Sequence, residues 1–281
     1  MGLYKRIRTI GLVLLAGCLA TPPVQAGRWV VYYNDEAPPK AFTGYDLVVF
    51  DSTDHPPVRA VRENGAEVLG YLSLGEVEAF RAHYEWAREA GILLQENENW
   101  PDSYMVDIRR QVWLEKVIYD LIPRLVHDGF DGVMLDTVDS PLWLERQSPE
   151  THDGMTEAAV RAIRAINANF PDLKIMLNRG YEILPQVAGN LDYVLGESVR
   201  SDYDFETDTY KRVAPELYRY QIARLKAAQD LNADLEVMTL DYWDPDDQET
   251  IRDIYATQRD NGFQPYVATV DLQRIVPEPP K

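Results

Sequence analysis

Apolar runs and their polar ends recur along the chain at intervals that alternate with helical periodicity. Residues 29–35 (WVVYYND), 46–52 (DLVVFDS) and 67–76 (EVLGYLSLGE) each read as a short buried strand leaving polar residues at its exit. The same form recurs at 129–140 (GFDGVMLDTVDS), 174–178 (KIMLN), 191–198 (LDYVLGES), 236–243 (EVMTLDYW) and 264–271 (QPYVATVD). Helical patterns fall between them. Residues 58–64 stop at Gly65, 78–90 stop at Gly91, and 111–128 carry apolar Val112, Leu114, Val117, Ile118, Leu121 and Leu125, kinked or divided at Pro123. Further helices are predicted over 156–169, 209–231 and from Asp244-Pro245-Asp246 to Asn261-Gly262. Only 36–45, between the first two strands, is too short and too broken by proline for a regular helix. The pattern predicts an α/β protein, a single (β/α)8 TIM barrel with one helix skipped.

The strand exits carry the candidate chemistry. They close with Asp35, Asp51, Glu76, Asp136, Asn178, Glu197, Asp241 and Asp271, so a barrel would gather carboxylates and an amide on its C-terminal face, where barrel active sites sit. Asp131 stands at the opposite end of its strand and reads as a turn residue bonding its own backbone. Competing barrel chemistries lack their residues. Of the lysines at 5, 40, 116, 174, 211, 226 and 281, only Lys174 touches a strand, at the wrong end for a Schiff base. His55, His83, His127 and His152 read as loop or helix residues, so no metal site is expected, and no glycine-rich phosphate loop follows the last two strands. No cofactor is expected. Two-carboxylate chemistry of the glycoside-hydrolase kind remains, with Asp136 and Glu197 the preferred pair and Glu76 the rival acid. Asp35, Asp51, Asp139, Asn178, Asp241, Tyr242 and Trp243 are candidate substrate contacts. Each acid has an alternative reading as a buried carboxylate bonded to an arginine or a backbone amide. Residues 95–103 form a loop long enough to cover the site, and Trp100 within it serves either as a sugar platform or as a cover for the barrel rim.

Composition adds charge and address. The formal charge of −18 excludes a basic nucleic-acid footprint and suits a neutral or cationic partner. Lys5, Arg6 and Arg8 precede the apolar residues 10–17, which are too few to span a bilayer, so 1–26 reads as an export signal and short tether and 27–281 as the barrel. Leu15-Ala16-Gly17-Cys18 resembles the bacterial lipobox, placing cleavage before Cys18 and a lipid on it; a cut after Ala26 would instead release a soluble protein. Either way the expectation is an exported monomer, in the outer membrane, periplasm or medium, touching membrane only through the anchor. Loss of the three leading cations from a chain of −18 leaves −21, and the lone Cys18 allows no internal disulfide.

The segments 70–78 (GYLSLGEVE), 105–110 (MVDIRR), 129–139 (GFDGVMLDTVD), 176–184 (MLNRGYEIL) and 194–198 (VLGES), in that order, resemble glycoside hydrolase family 114. These are the endo-α-1,4-polygalactosaminidase-like barrels, similar also to the hydrolase domain of Pel exopolysaccharide proteins. The resemblance spans nearly the whole barrel. It implies cleavage of α-1,4-linked galactosamine or N-acetylgalactosamine polymers, with Asp136 and Glu197 matching the family's catalytic pair. Assigned as nucleophile and acid/base of a retaining enzyme, the two carboxyls are expected about 5 to 5.5 Å apart. A non-catalytic polysaccharide-binding or exopolysaccharide-assembly lipoprotein is the alternative.

Overall fold

A computed structural model describes residues 27–280. Cys18 and the rest of the export signal lie outside the described residues. Eight parallel strands form one nearly closed barrel in sequence order. They are β1 (Trp29–Tyr32), β2 (Leu47–Phe50), β3 (Glu67–Ser73), β4 (Gly132–Asp136), β5 (Lys174–Asn178), β6 (Tyr193–Glu197), β7 (Glu236–Tyr242) and β8 (Gln264–Ala268). Their residues are buried on both faces, as the unbroken apolar runs predict. Between β8 and β1 side-chain and loop bonds close the seam: Trp29 Nε1 donates to Gln264 O at 2.9 Å, and Tyr33 N to Leu272 O at 2.8 Å.

Glycines set which side chains face inward. A Cβ on Gly132 would lie 2.3 Å from Lys174 O and 2.5 Å from Leu69 Cδ2, so this position points into a barrel too narrow for any side chain there. A Cβ on Gly70 would lie 2.8 Å from Leu125 Cδ2, so that position points outward and lets the helix Ile122–Asp128 pack directly on β3. With the period of two, Tyr71 and Ser73 of β3, Met134 and Asp136 of β4, Met176 and Asn178 of β5, and Leu195 and Glu197 of β6 all face in.

At the opposite end of the barrel Asp131 does more than bond its own turn. Its carboxylate accepts Val68 N at 3.0 Å and pairs with Arg62 at 2.6 Å, clamping the starts of neighbouring strands. The kink at Pro123 takes the form of a π-turn, Val117–Leu121, between two α-helical segments. Proline cannot donate to a carbonyl four residues back, and the widened turn accommodates the loss.

Three predicted segments fold differently. The helix expected over 78–90 is confined to Tyr84–Glu89, because Glu76–Glu78, Leu93–Glu96 and Ser103–Val106 form a small antiparallel sheet above β3. Val77 and Val106, fully buried, gain more from that pairing than local helical preference offers. The helix expected from 209 starts at Pro215, whose missing N–H suits a first turn, and Thr209–Arg212 pairs instead with Ser201–Asp204 as a hairpin after β6. The last helix starts at Gln248, where Asp247 caps Thr250 N at 3.1 Å. A short turn, Pro39–Phe42, stands where a helix is skipped. Among the described residues no helix is long and apolar enough to cross a membrane.

Candidate active site

Strands β4, β5 and β6 end in the same way. Asp136, Asn178 and Glu197 point inward, and the residue after each turns left-handed: Thr137 at φ 62°, Arg179 at 55° and Ser198 at 52°. A non-glycine residue in this region costs on the order of 1 kcal/mol or more, and the β-branched Thr137 is the most strained of the three. Cross-strand bonds hold the breaks. Leu74 N donates to Asp136 O at 2.9 Å, Arg179 N to Leu195 O at 2.8 Å, and Ser198 N to Leu240 O at 2.8 Å. Thr137 Oγ1 accepts Gly75 N at 2.9 Å and lies 2.8 Å from Ser73 Oγ. The result is three polar groups presented side by side while the chain leaves the barrel.

Asn178 Nδ2 donates to Asp136 Oδ1 at 2.8 Å and to Glu197 Oε2 at 2.7 Å. Two bonds of 2.8 and 2.7 Å to one nitrogen cap the separation of those carboxylate oxygens at 5.5 Å. Tyr242 at the end of β7 donates its hydroxyl to Glu197 Oε1 at 2.5 Å. Burial, then the neighbouring Glu197 charge, pushes Asp136 up to about 7, against the opposing hydrogen bonds from Thr137 and Asn178. Asp136 therefore keeps its proton up to about neutrality in the free protein. Tyr33 and Tyr71 face the same pair with rings 5.6 Å apart, edge to face. Burial and then the Asp136 charge push both phenols well above their ordinary range, so each remains a hydrogen-bond donor at physiological pH. Neither hydroxyl has a hydrogen-bond partner among the described residues.

Other predicted contacts are committed to the protein itself. Asp241 cannot share the inward face with Tyr242, its neighbour on β7. It is fully buried on the helix side, accepting Arg200 N at 2.6 Å, Ser201 N at 2.9 Å and Gln258 Nε2 at 2.8 Å, where it anchors the hairpin after β6. Glu76 is 2 % exposed and bonds Asn97 at 2.9 Å, Ser103 at 2.5 Å and Ser140, tying the small sheet to the loop after β4. Neither carboxylate is offered to a substrate. Asp51 is held by Arg81, at 2.7 and 3.0 Å, and this pairing outweighs burial to keep its carboxyl below the usual range.

Arg81 also reaches Glu78 at 3.3 Å and lies 5.3 Å from the Tyr71 ring centre. Asp139 opens the helix Asp139–Gln147 with Arg179 at 3.4 Å; burial raises its pKa, and it stays half-exposed at the rim. Trp243 bonds Asp247 at 3.0 Å and carries Arg212 over its ring, and Asp35 is exposed beyond the end of β1. Tyr33, Tyr71, Glu78, Arg81 and Arg179 were absent from the sequence-derived set. Inward parity on β3 could have found Tyr71, whereas Arg81 carries no periodic signal. Among the described residues no group of three or more His, Cys, Asp or Glu side chains is placed to hold a metal ion.

The sequence model of glycoside-hydrolase family GH114 matches residues 16–279. The chain belongs to that family. Among solved structures it is similar to the glycoside hydrolase domain of PelA from Pseudomonas aeruginosa, at TM-score 0.79 and 24% identity over 89% of this chain and 98% of that one. It is also similar to Ega3 of Aspergillus fumigatus, solved in complex with galactosamine, at TM-score 0.66 and 16% identity, covering 90% of this chain and 95% of that one. An uncharacterized protein of Methanocaldococcus jannaschii is 25% identical over 239 residues, 77% of this chain; the chain spans 65% of that relative's length. For a GH114 member the chemistry expected of the barrel mouth is glycosidic cleavage. The Asp136–Asn178–Glu197 row supplies two carboxyls bridged by one amide, and the Tyr242 hydroxyl donates to the second of them.

Proposed function

We propose that this GH114 chain hydrolyses an amino-sugar polysaccharide of the α-1,4-linked galactosamine type, by a retaining mechanism with Asp136 as nucleophile and Glu197 as acid/base. The single amide shared by the two carboxylates carries this reading, because a gap of at most 5.5 Å between the facing oxygens leaves no room for an attacking water between acid and sugar. In the first step Asp136 attacks the anomeric carbon while Glu197 passes its proton to the departing glycosidic oxygen. A glycosyl ester forms and the sugar–oxygen bond breaks. Glu197, now anionic, takes a proton from water, whose oxygen displaces Asp136 and restores both carboxyls.

This cycle needs Asp136 as the anion and a proton on Glu197 at the moment of attack. A substrate ammonium near Asp136 favours its anion, so a cationic sugar prepares its own nucleophile. The chain's charge of −18 and the galactosamine bound to Ega3 support that substrate class. Tyr33 and Tyr71, with hydroxyls free, are the substrate donors in this reading, and Asp139 at the rim is an acceptor. Residues 1–26 are read as an export signal, with Cys18 as the lipid-bearing residue. A lectin-like role for the same rim is disfavoured by two carboxyls bridged by one amide, with burial pushing Asp136 up to about 7. The test is incubation with partly deacetylated α-1,4-galactosamine polymer, following new reducing ends and their anomeric form by proton NMR. The expected first product keeps the α configuration; a β product overturns retention, and no product from any amino-sugar polymer overturns the reading.

A further inference from the structure

Strands β3 and β6 are separated by β4 and β5, yet the loops that follow them meet. Trp100, in the turn of the small sheet after β3, and Phe205, at the tip of the hairpin after β6, lie with ring centres 5.4 Å apart and planes at 90°. Both loops leave the C-terminal ends of their strands, the face on which β4 and β5 present Asp136 and Asn178, so the contact joins two loops that flank the candidate site.

Three further observations bear on what the bridge does. Both rings are unusually exposed for their size, 52% for Trp100 and 59% for Phe205, and their edge-to-face geometry leaves a flat face of each ring free. Both are held by self-bonded turns: Asn97 N donates to Ser103 O at 2.8 Å beneath Trp100, and Asp204 accepts Glu206 N at 3.0 Å beneath Phe205. From Phe205 a line of aromatics runs along the hairpin, Tyr203 at 5.1 Å, then Tyr210 at 5.0 Å from Tyr203, then Trp243 at 6.1 Å from Tyr210, just past the end of β7. Each tip also carries an exposed carboxylate, Glu98 and Glu206, and neither is in an ion pair among the described residues.

We infer that Trp100 and Phe205 form a clasp over the cleft that parts to seat a segment of the glycan some sugars away from the bond being cut. The ring faces stack on pyranose faces, and Glu98 and Glu206 take the ammonium groups that a deacetylated amino-sugar chain presents. The inference rests on the proposed polysaccharide substrate, but it concerns binding outside the Asp136–Glu197 pair. Aromatic stacking tolerates either acetylation state, whereas the carboxylates distinguish the cationic polymer, so the two contributions are separable by charge and by salt.

The experiment measures binding in the full chain carrying Glu197→Gln, which blocks turnover. The probes are deacetylated α-1,4-galactosamine polymer, its N-acetylated form, amylose as a neutral α-1,4-glucan, and a galactosamine disaccharide too short to reach the clasp. Added Trp100→Ala or Phe205→Ala is expected to weaken binding of both amino-sugar polymers about tenfold, with disaccharide binding and thermal unfolding unchanged and Trp100→Phe largely restoring affinity. Glu98→Gln with Glu206→Gln is expected to weaken only the deacetylated polymer, a difference erased by high salt. Polymer affinity unchanged by both aromatic substitutions overturns the clasp, as does a parent that binds amylose as tightly as the amino-sugar polymers. The two readings fail separately: a wild-type chain that binds polymer through the clasp without cutting it removes the hydrolase and keeps the clasp. Hydrolysis with binding indifferent to Trp100 and Phe205 does the reverse.

Discussion

Asp136 and Glu197 accept hydrogen bonds from one nitrogen, Asn178 Nδ2, at 2.8 and 2.7 Å. This arrangement makes the two acids a unit: the amide offsets their repulsion, and burial with the Glu197 charge raises Asp136. Removing either acid therefore has a predictable signature. Asp136→Asn and Glu197→Gln, each close to isosteric, are expected to lower kcat on a galactosamine polymer by about a thousandfold or more while the fold persists, since each removes a partner in bond-making or proton transfer. Residual activity within tenfold of wild type in either variant would sink the assignment of the pair.

Asp136 has a second consequence, for stability. Its folded pKa of about 7 lies above its ordinary value of 3.8, so the folded chain binds that proton more tightly than the unfolded chain. The contribution is full below about pH 4 and is lost as pH rises through 7, with a ceiling of about 4 kcal/mol for a shift of roughly three units. Asp136→Asn should accordingly melt near wild type at pH 4 and several degrees higher at pH 8. Thermal unfolding across that range is the measurement, and a gain that is independent of pH contradicts the burial of a proton on Asp136.

Asn178→Ala withdraws the shared donor. A hydrogen bond to a carboxylate favours its anion, so its loss raises Asp136 further and shifts the acid limb of the kcat/KM profile toward higher pH. A loss of about a hundredfold in kcat is expected alongside, the size typical of one misplaced preorganised donor. A lower rate with an unmoved acid limb would mean that Asn178 acts on substrate alone.

Tyr242→Phe deletes the 2.5 Å donor to Glu197 Oε1 and leaves the ring in place. We expect kcat to fall by about ten- to a hundredfold with little change in unfolding temperature, because a ring-sized residue still fills the inward face of β7. Equal loss of stability and activity would identify the hydroxyl as structural.

Thr137 holds the exit of β4 through its hydroxyl, at a backbone angle that a β-branched residue tolerates poorly. Thr137→Val keeps shape and strain but leaves Gly75 N and Ser73 Oγ without this partner. Chemical denaturation should register a loss of about 2 to 3 kcal/mol, against less than about 1 kcal/mol for Thr137→Ser. Equal costs for the two variants would show that packing of the methyl, not the hydroxyl, holds the turn.

Much of this site is legible from local pattern. The barrel follows from apolar runs spaced by helical ones, and the inward set of Asp136, Asn178, Glu197 and Tyr242 follows from a period of two. The same period demotes Asp241, since adjacent residues of a strand face opposite sides, yet proximity to a strand exit had placed Asp241 among the substrate contacts. Arg81 is a different case. Its grip on Asp51 and Glu78 joins residues from separate exits, and nothing in the spacing of residues 51, 78 and 81 announces it.

The sequence alone therefore determined the strand order and the face on which the strand-exit side chains, Asp136 and Glu197 among them, are gathered, because strand periodicity and the parallel alternation of β and α are local properties of the chain. Only the tertiary structure decided that residues 76–106 build a small sheet, that Glu76 is spent within it, and that Trp100 meets Phe205. Those contacts join residues from about 27 to 105 positions apart. Their partners are chosen by burial and hydrogen bonding in the assembled barrel, which no short window of sequence contains.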